Sequence, residues 1–287
     1  ADLSAETSRS MEAAVRISLP GGGLYWYWQA GVLSYIVEHY DLGSSGCHIE
    51  GASAGALSAV LTACATEASP QRESRRRDDE SMSGYQGAAP RDGCPLLSAV
   101  GRALDIAEEN ALFDKPFSLA GVWGPLVRQW LEQMLPYDAF HRCAGRVSIQ
   151  VVRLPWLQPT RIPVGGRKHE DAHEAALSVG SRGDLVDALM ASVHIPFFLD
   201  GRLWCRYGKL RCIDGTFTFR RCPESQSDPS SSPAHKIEID RPPEQAMWQT
   251  LRAGVTRGQL MQLFHKGYGD ASRMRSEGRF DALALKS

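Results

Sequence analysis

The residues GASAG, at positions 51–55, constrain the fold of this chain more than any other stretch. They place Ser53 after an apolar strand pattern and before the segment ALSAVLTACAT, whose Ala and Leu content and apolar spacing are typical of a helix. The two glycines leave room for a tight strand-to-helix turn that exposes the serine oxygen. The motif therefore predicts an α/β unit with Ser53 as a candidate nucleophile. The alternative is a glycine-rich turn that only packs the helix onto a sheet.

Strand and helix patterns alternate along the rest of the chain, which predicts an α/β sandwich with a largely parallel sheet. Residues 1–12 are expected to form a flexible tail, and residues 13–287 a single domain. Two stretches within that domain, 67–95 and 222–235, are rich in small, polar and turn-forming residues and poor in large apolar ones. We expect disordered insertions there, because such segments cannot bury enough apolar surface to fold.

The composition excludes several classes of protein. The formal net charge is −1, which leaves no basic excess for binding nucleic acid. The seven cysteines are widely spread without a C-x-x-C pair, which argues against a zinc module and favours reduced cysteines in an intracellular protein. No apolar run approaches the ~20 residues that span a bilayer, and no secretion signal is visible at the start. The chain does not begin with Met, so a targeting segment upstream of it is compatible with these features.

Three consecutive glycines, Gly21, Gly22 and Gly23, follow a short β-branched strand pattern and precede an apolar helix pattern. Successive glycine N–H groups beside a helix N-terminus can form a nest that binds an anion. A dinucleotide-binding loop would have the pattern G-x-G-x-x-G, and a P-loop would have Gly-Lys-Ser/Thr; the stretch has neither. It therefore fits an oxyanion loop better than a nucleotide site.

A serine nucleophile needs a base, and the residues alone leave several candidates open. His194 and His265 follow Ser53 in apolar contexts, where a lone histidine is more often packed than catalytic. Asp200 lies in a predicted hairpin turn between the apolar runs IPFFL and LWC. Asp214, in the segment CIDGTF, ends an apolar strand, which is where open α/β sheets present catalytic carboxylates. The structural alternative for Asp214 is a simple Asp-Gly turn.

Taken in order, the GGG stretch, GASAG, DLVDALMAS with VHIPFF, and CIDGT resemble the patatin-like phospholipases. The resemblance runs from about Val15 to Phe219, and the later stretch LMQLFHKGYGDASRM is similar to the closing helix of the adiponutrin-type branch. It implies a three-layer α/β/α sandwich with a mostly parallel central sheet, without a cofactor or a metal. It also implies an acyl hydrolase that cleaves carboxylic esters of acylglycerols or phospholipids and acts in lipid metabolism.

The resemblance implies a Ser–Asp dyad in place of a triad. Ser53 is then the nucleophile and Asp214 the base, and no histidine is needed. Asp214 would accept the Ser53 proton while Ser53 attacks an ester carbonyl, and water would later release the fatty acid. The implied oxyanion donors are Gly21, Gly22 and Gly23, and the implied glycines of the nucleophile turn are Gly51 and Gly55.

Two positions depart from the pattern of the family. Tyr25 and Trp26 stand where many members have an Arg-Gly pair, and Thr216 replaces the second glycine of Asp-Gly-Gly. Neither change removes a reacting group. The aromatic run 25–28 is suited to a lipid surface, since amphipathic rings favour the boundary between membrane and water. The alternative is that these rings pack inside the protein.

Three functions follow from these features. The first is a lipid acyl hydrolase bound peripherally to a membrane or lipid droplet in the cytoplasm, with a lipid as its substrate and no nucleic-acid partner. The second is a serine esterase that uses His194 or His265 as its base. The third is a lipid-binding regulatory protein of the same fold with little turnover. Transfer of the acyl group to a lipid alcohol instead of water also stays open.

Overall fold

A seven-stranded sheet organises the chain in a computed structural model that describes residues 15–44, 46–66, 93–113, 121–165, 178–218, 235–240 and 255–286. The strands are β1 (Val15–Leu19), β2 (Cys47–Ala52), β3 (Val147–Arg153), β4 (Gln158–Pro163), β5 (Cys205–Tyr207), β6 (Leu210–Asp214) and β7 (His235–Glu238). The α-helices in the same residues are α1 (Trp26–His39), α2 (Ala54–Thr66), α3 (Pro95–Glu109), α4 (Trp123–Met134), α5 (Ala139–Cys143), α6 (Arg182–Ser192) and α7 (Arg257–Ser276).

Four neighbouring strands, in the order β7, β1, β2 and β3, run parallel to one another. Strands β4 and β6 pair antiparallel with β3, and β5 pairs antiparallel with β6. Helices connect and flank the strands. The predicted α/β class, with a mostly parallel central sheet flanked by helices, is therefore confirmed.

Strand β3 has an unusual set of partners. Its residues Ser148–Arg153 pair with β4 along one edge, so β2 and β6 must share the other edge. Strand β2 pairs with the first part of β3 and ends where Ala52 lies opposite Gln150, whereas β6 pairs with the last part and ends where Asp214 lies opposite Val151. Since β2 and β6 run in opposite directions, their C-terminal ends meet beside the middle of β3.

Helix α2 follows β2 through the single residue Ser53 and is buried from Ala54 to Ala65. Small side chains make this possible, because the segment AGALSAVLTACA lets sheet and helices approach on every side. Helix α1 is also surrounded, and its closest partner is α7. The contact includes hydrogen bonds from Trp28 Nε1 to Asp270 Oδ2 (2.8 Å) and from the Tyr268 hydroxyl to Glu38 Oε2 (2.6 Å).

The predicted hairpin at Asp200 is wrong, although a turn is present there. Gly201 has a φ of +76°, and the Arg202 N–H donates to Asp200 Oδ1 at 3.0 Å. The flanking apolar runs do not pair as strands, because Ile195 and Phe198 of the first run line a pocket next to Ser53. The hairpin of this region is formed further along the chain by β5 and β6.

Several predicted segments lie outside the described residues. They are the tail at 1–12 and nearly all of the two insertions, at 67–92 and 222–234. Helix α3 begins at Pro95 and strand β7 at His235, the last residue of each predicted insertion.

A buried ion pair lies across the sheet below the meeting point of β2 and β6. The Glu50 side chain, 5% exposed, is 2.9 Å from Arg161 on β4 and accepts a hydrogen bond from Ser18 Oγ at 3.2 Å. We predict that Arg161→Ala lowers the free energy of unfolding by about 3 kcal/mol, because it leaves the Glu50 carboxylate buried without its cation. Urea unfolding followed by circular dichroism measures the change.

Arg128→Ala is the matched control, since it breaks the exposed pair with Asp187, whose side chains are 44% and 51% exposed. It should cost less than about 1 kcal/mol. Equal effects of the two substitutions would contradict the importance of the buried pair.

Candidate active site

Ser53 occupies a strained turn between β2 and α2. Its φ is +52°, a region that residues other than glycine rarely adopt, so the surrounding contacts must hold it there. A Cβ on Gly55 would lie 1.9 Å from the carbonyl oxygen of Leu19, and one on Gly51 would lie 2.2 Å from that of Gly55. Only glycine fits at either position, which explains why the turn has the pattern G-x-S-x-G. The serine hydroxyl is thereby placed at the N-terminus of α2, where the helix dipole favours negative charge.

The structure brings Ser53 and Asp214 into direct contact. Ser53 Oγ donates a hydrogen bond of 2.6 Å to Asp214 Oδ2, although the two residues are 161 positions apart in the chain. The other carboxylate oxygen, Oδ1, accepts the backbone N–H of Thr216 at 2.7 Å. The Asp214 N–H donates to the carbonyl of His194 at 2.8 Å. The carboxylate is therefore held on both oxygens and through its backbone.

Burial decides the electrostatics of this carboxylate. Asp214 is 2% exposed, and the loss of solvent raises the pKa of its carboxyl group above the ordinary value. Hydrogen bonds from Ser53 and Thr216 act in the opposite direction, since they stabilise the charged form, but burial is the larger effect. A raised pKa makes Asp214 a stronger proton acceptor than a carboxylate in water.

The three glycines of the predicted oxyanion loop lie at the end of β1, next to the serine. A Cβ on Gly21 would lie 1.9 Å from Thr216 Oγ1 and 2.9 Å from Ser53 Cβ, so the loop lies against Ser53 and against the residue whose N–H holds Asp214. Gly23 lines the same pocket as Ser53. Gly22 accepts the Tyr25 N–H at 3.0 Å, which starts a short 3-10 helix before α1.

Three residues that support the site were missed by the sequence analysis. Ser192, the last residue of α6, accepts the Ser53 N–H at 2.8 Å and donates to the Gln150 carbonyl at 2.7 Å. Gln29 donates from Nε2 to the Pro20 carbonyl, just before the glycine loop, and to the Ile239 carbonyl, each at 3.3 Å. Thr216 was noted only as a departure, yet its N–H holds Asp214. Its position two residues after the aspartate is the one signal that could have indicated this role.

Neither candidate histidine is a partner of Ser53. The His194 ring bonds the Arg202 carbonyl at 3.2 Å, and burial lowers the pKa of this histidine, which favours the neutral ring. His265 is exposed on α7 and stacks edge-on with Phe264. The contact of Ser53 with Asp214 is thus formed without a histidine, whereas Asp200 lies in an exposed turn.

The aromatic run after the glycines is buried, so the alternative that its rings pack inside is correct. Tyr25, Trp26, Tyr27 and Trp28 are 4%, 7%, 4% and 1% exposed. Tyr25 stacks on Trp28 with ring centroids 5.0 Å apart, and Trp26 packs edge-on against Trp130 of α4 at 5.2 Å. These residues therefore cannot rest on a lipid surface.

An apolar pocket opens beside Ser53. It has an empty volume of about 880 Å³, part of it open to solvent, and lies between the start of α1, α2, α3 and α4. Trp26 and Tyr27 form part of its wall, so one of the two residues that replace Arg-Gly, Trp26, adds to its apolar lining. Other apolar residues of the wall are Leu57, Ile106, Val127 and Trp130.

No cluster of three His, Cys, Asp or Glu side chains with the arrangement of a metal site occurs among the described residues. Helices long and apolar enough to cross a bilayer are also absent from that part of the chain.

Comparison with known proteins identifies one family. The family model described as patatin-like phospholipase matches residues 17–223, which include Ser53, Asp214 and the glycine loop. No curated protein matches the chain significantly. Among solved structures, the chain is similar to the crystal structure of VipD from Legionella pneumophila, with 12% sequence identity and a TM-score of 0.33. That alignment covers 71% of this chain and 46% of the other, so the chain spans less than half of that protein.

The raised pKa of Asp214 predicts a pH-dependent stability difference between the wild type and Asp214→Asn. A carboxyl group whose pKa is higher in the folded state stabilises the fold only while it is protonated. The free energy of unfolding of the wild type therefore falls as the pH rises from the pKa of this carboxyl group in the unfolded chain through its pKa in the folded protein. Asparagine does not titrate, so the variant lacks this fall. The Tm of Asp214→Asn minus that of the wild type should grow with pH over that interval. A difference that stays constant or shrinks between pH 3 and pH 8 would contradict the burial effect.

Proposed function

Because the chain belongs to the patatin-like phospholipase family, we propose that it is a lipid acyl hydrolase in which Ser53 and Asp214 form the catalytic dyad. The observation that carries the proposal is the 2.6 Å hydrogen bond from Ser53 Oγ to Asp214 Oδ2. It lies at the wall of an apolar pocket, so a nucleophile, its base and a space for an acyl chain adjoin one another. The proposed substrates are carboxylic esters of acylglycerols or phospholipids.

The reaction begins when Asp214 accepts the proton of Ser53 and the serine oxygen attacks the ester carbonyl. The negative charge that develops on the carbonyl oxygen is stabilised by N–H groups of the Gly21–Gly23 loop and by the N-terminus of α2. Asp214 then gives its proton to the leaving alcohol, and an acyl-serine remains. Asp214 next takes a proton from water, whose oxygen attacks the acyl-serine, and Ser53 recovers its proton as the fatty acid leaves.

A carboxylate is a weak base in water, and two features of the site compensate for this. Burial raises the pKa of Asp214, which strengthens it as a base. The positive φ of Ser53 and the hydrogen bond to Ser192 hold the hydroxyl in line with the carboxylate before substrate binds. The proton therefore moves along a preformed hydrogen bond.

The proposal also gives the chain a cellular role. A member of the adiponutrin-type branch would act on neutral lipids and phospholipids in lipid catabolism. It would work in the cytoplasm, bound peripherally to a membrane or a lipid droplet. The buried Trp26 favours hydrolysis over a purely regulatory role, because it extends the pocket and leaves Ser53 and Asp214 in contact.

We predict that Ser53→Ala and Asp214→Asn each lower kcat/KM for fatty-acid release by about a thousandfold or more. Ser53→Ala removes the nucleophile, and Asp214→Asn removes the base. Release of free fatty acid from triacylglycerol, phospholipid and monoacylglycerol measures the effect and also identifies the preferred head group.

His194→Gln and His265→Gln are the controls. A catalytic base contributes about 10²–10⁴-fold to the rate. Neither histidine is a partner of Ser53, so each variant should keep kcat/KM within about threefold of the wild type. A loss above a hundredfold in either one would favour the serine esterase with a histidine base. Wild-type protein that releases no more fatty acid than folded Ser53→Ala would exclude hydrolysis and favour the regulatory alternative.

The pocket predicts a preference for acyl length that can be altered. Trp130 is 5% exposed and lines the pocket wall, so Trp130→Leu should create space for a longer chain. Each methylene that enters the space contributes about 0.8 kcal/mol, or roughly fourfold in kcat/KM. The ratio of kcat/KM for dodecanoyl over butanoyl p-nitrophenyl esters should therefore rise. Trp204→Leu, outside this pocket, should leave the ratio unchanged; equal ratios in both variants would mean that Trp130 does not limit chain length.

A further inference from the structure

Two exposed apolar side chains stand at the turn between β3 and β4. Trp156 is 84% exposed and Leu157 is 55% exposed, whereas most large apolar residues of the described chain are buried. A tryptophan this exposed loses the hydrophobic stabilisation that burial would give. Such residues at a turn commonly mark a contact with an apolar or interfacial surface.

A basic hairpin lies beside this turn. Strands β5 and β6 place Arg206 directly opposite Arg211, and Lys209 lies in the turn between them. Positions 201–213 contain four Lys and Arg residues and no Asp or Glu. Like charges placed opposite each other in a sheet repel, so the pair Arg206 and Arg211 is destabilising unless an anion lies nearby.

Two acidic side chains, Asp187 and Asp200, line the same cavity as Arg206. Arg206, Lys209 and Arg211 form no ion pair within the described part of the chain. Asp187 on α6 is instead paired with Arg128 at 2.7 Å. An external anion at this hairpin would meet cations that no carboxylate of the described residues holds in an ion pair.

The apolar turn and the basic hairpin are joined. The Leu154 N–H donates to the Arg211 carbonyl at 2.8 Å, which ties the β3–β4 turn to the first half of β6. The Arg211 guanidinium lies over the Trp204 ring, 4.9 Å from its centre. Both features thus belong to one surface at the same end of the sheet.

That end of the sheet is the one at which the dyad lies. Asp214 lies opposite Val151. Beyond this pair β3 continues by two residues, about 7 Å, and β6 by four residues, about 13 Å, towards the turn and the hairpin. Two further exposed apolar rings adjoin the site: Phe217 (53% exposed) follows Asp214 by three residues, and Phe197 (64% exposed) precedes the pocket residue Phe198. Exposed apolar side chains therefore occur both at the turn and next in the chain to residues of the site.

We propose that the docking face, formed by Trp156, Leu157, Arg206, Lys209 and Arg211, binds the surface of a bilayer that contains anionic lipids. Tryptophan favours the level of the lipid head groups, and arginine and lysine are attracted by the negative potential of such a bilayer. The docking face would then place the mouth of the pocket against the lipid. The inference rests on the proposed function, since a lipid hydrolase must reach lipids at their surface. The docking face takes the place of the buried aromatics 25–28 as the site of contact with lipid.

The test is sedimentation of the full chain carrying Ser53→Ala with vesicles, so that binding is measured without turnover. We expect binding to phosphatidylcholine vesicles that contain 30% phosphatidylserine and weaker binding to phosphatidylcholine alone. Lys209→Gln with Arg211→Gln should weaken binding to the anionic vesicles by about 30-fold, since each cation near such a surface contributes roughly fivefold. Trp156→Ala should weaken binding to both kinds of vesicle.

Matched controls lie on other faces of the molecule. Lys266→Gln with Arg273→Gln removes two exposed cations from α7, and Tyr137→Ala removes a ring that is 97% exposed after α4. Both controls should bind like the parent. The docking face is overturned if the parent does not bind anionic vesicles, or if the control variants lose as much binding as the variants of the docking face.

Hydrolysis of a soluble short-chain p-nitrophenyl ester by the Ser53-containing forms separates this inference from the proposed function. The charge variant and Trp156→Ala should hydrolyse that ester at the wild-type rate, because neither residue set belongs to the dyad or the pocket. Vesicle binding that follows the predicted pattern in a protein without esterase activity would support the docking face and contradict the proposed function. Soluble esterase activity in a protein that does not bind vesicles would support the proposed function and contradict the docking face.

Discussion

The shared edge of β3 is the constraint on which the rest of the site depends. Strand β4 occupies one edge of β3, so β2 and β6 must divide the other, and they approach each other from opposite directions. Their last residues lie opposite Gln150 and Val151, which are neighbours in the chain. The residue after β2 is Ser53 and the last residue of β6 is Asp214, so the two groups of the proposed dyad meet because two strands end at the same point. The 2.6 Å hydrogen bond between them follows from the hydrogen-bond pattern of the sheet.

Holding this arrangement has a cost in stability. Ser53 has a positive φ, and Asp214 keeps a carboxyl group buried. The backbone around them compensates: Thr216 and Ser192 supply a donor and an acceptor, and the carbonyl of His194 accepts the Asp214 N–H. The same features that destabilise the fold would prepare the proposed proton transfer, because a buried carboxylate is a stronger base and a fixed hydroxyl needs no reorientation. The features proposed to make the site reactive are thus the ones that lower the stability of the fold.

The parts of the site that could be predicted from sequence are those with a local cause. The turn at Ser53 needs glycine on both sides for contacts within a few residues, and Asp214 stands at the end of an apolar strand, so each was recognised. The orientation of Tyr25 and Trp26 has no local cause: α1 is enclosed by α2, α3 and α7, and only that packing decides that every ring is buried. The prediction of a hairpin at Asp200 was wrong for a similar reason, because Ile195 and Phe198 line the wall of the pocket. The docking face likewise depends on two hairpins that are distant in sequence.

The most direct test of the account is the site and rate of modification by a fluorophosphonate, followed by mass spectrometry of the labelled peptide. The account predicts one adduct, on Ser53, formed at least a hundredfold more slowly by Asp214→Asn across neutral pH. It also predicts that the wild-type rate falls as the pH is lowered through a midpoint above 3.8, the ordinary value for an aspartate, because burial raises the pKa of Asp214. An adduct on another residue, or an unchanged rate in Asp214→Asn, would contradict the claim that these two strand ends form a catalytic dyad.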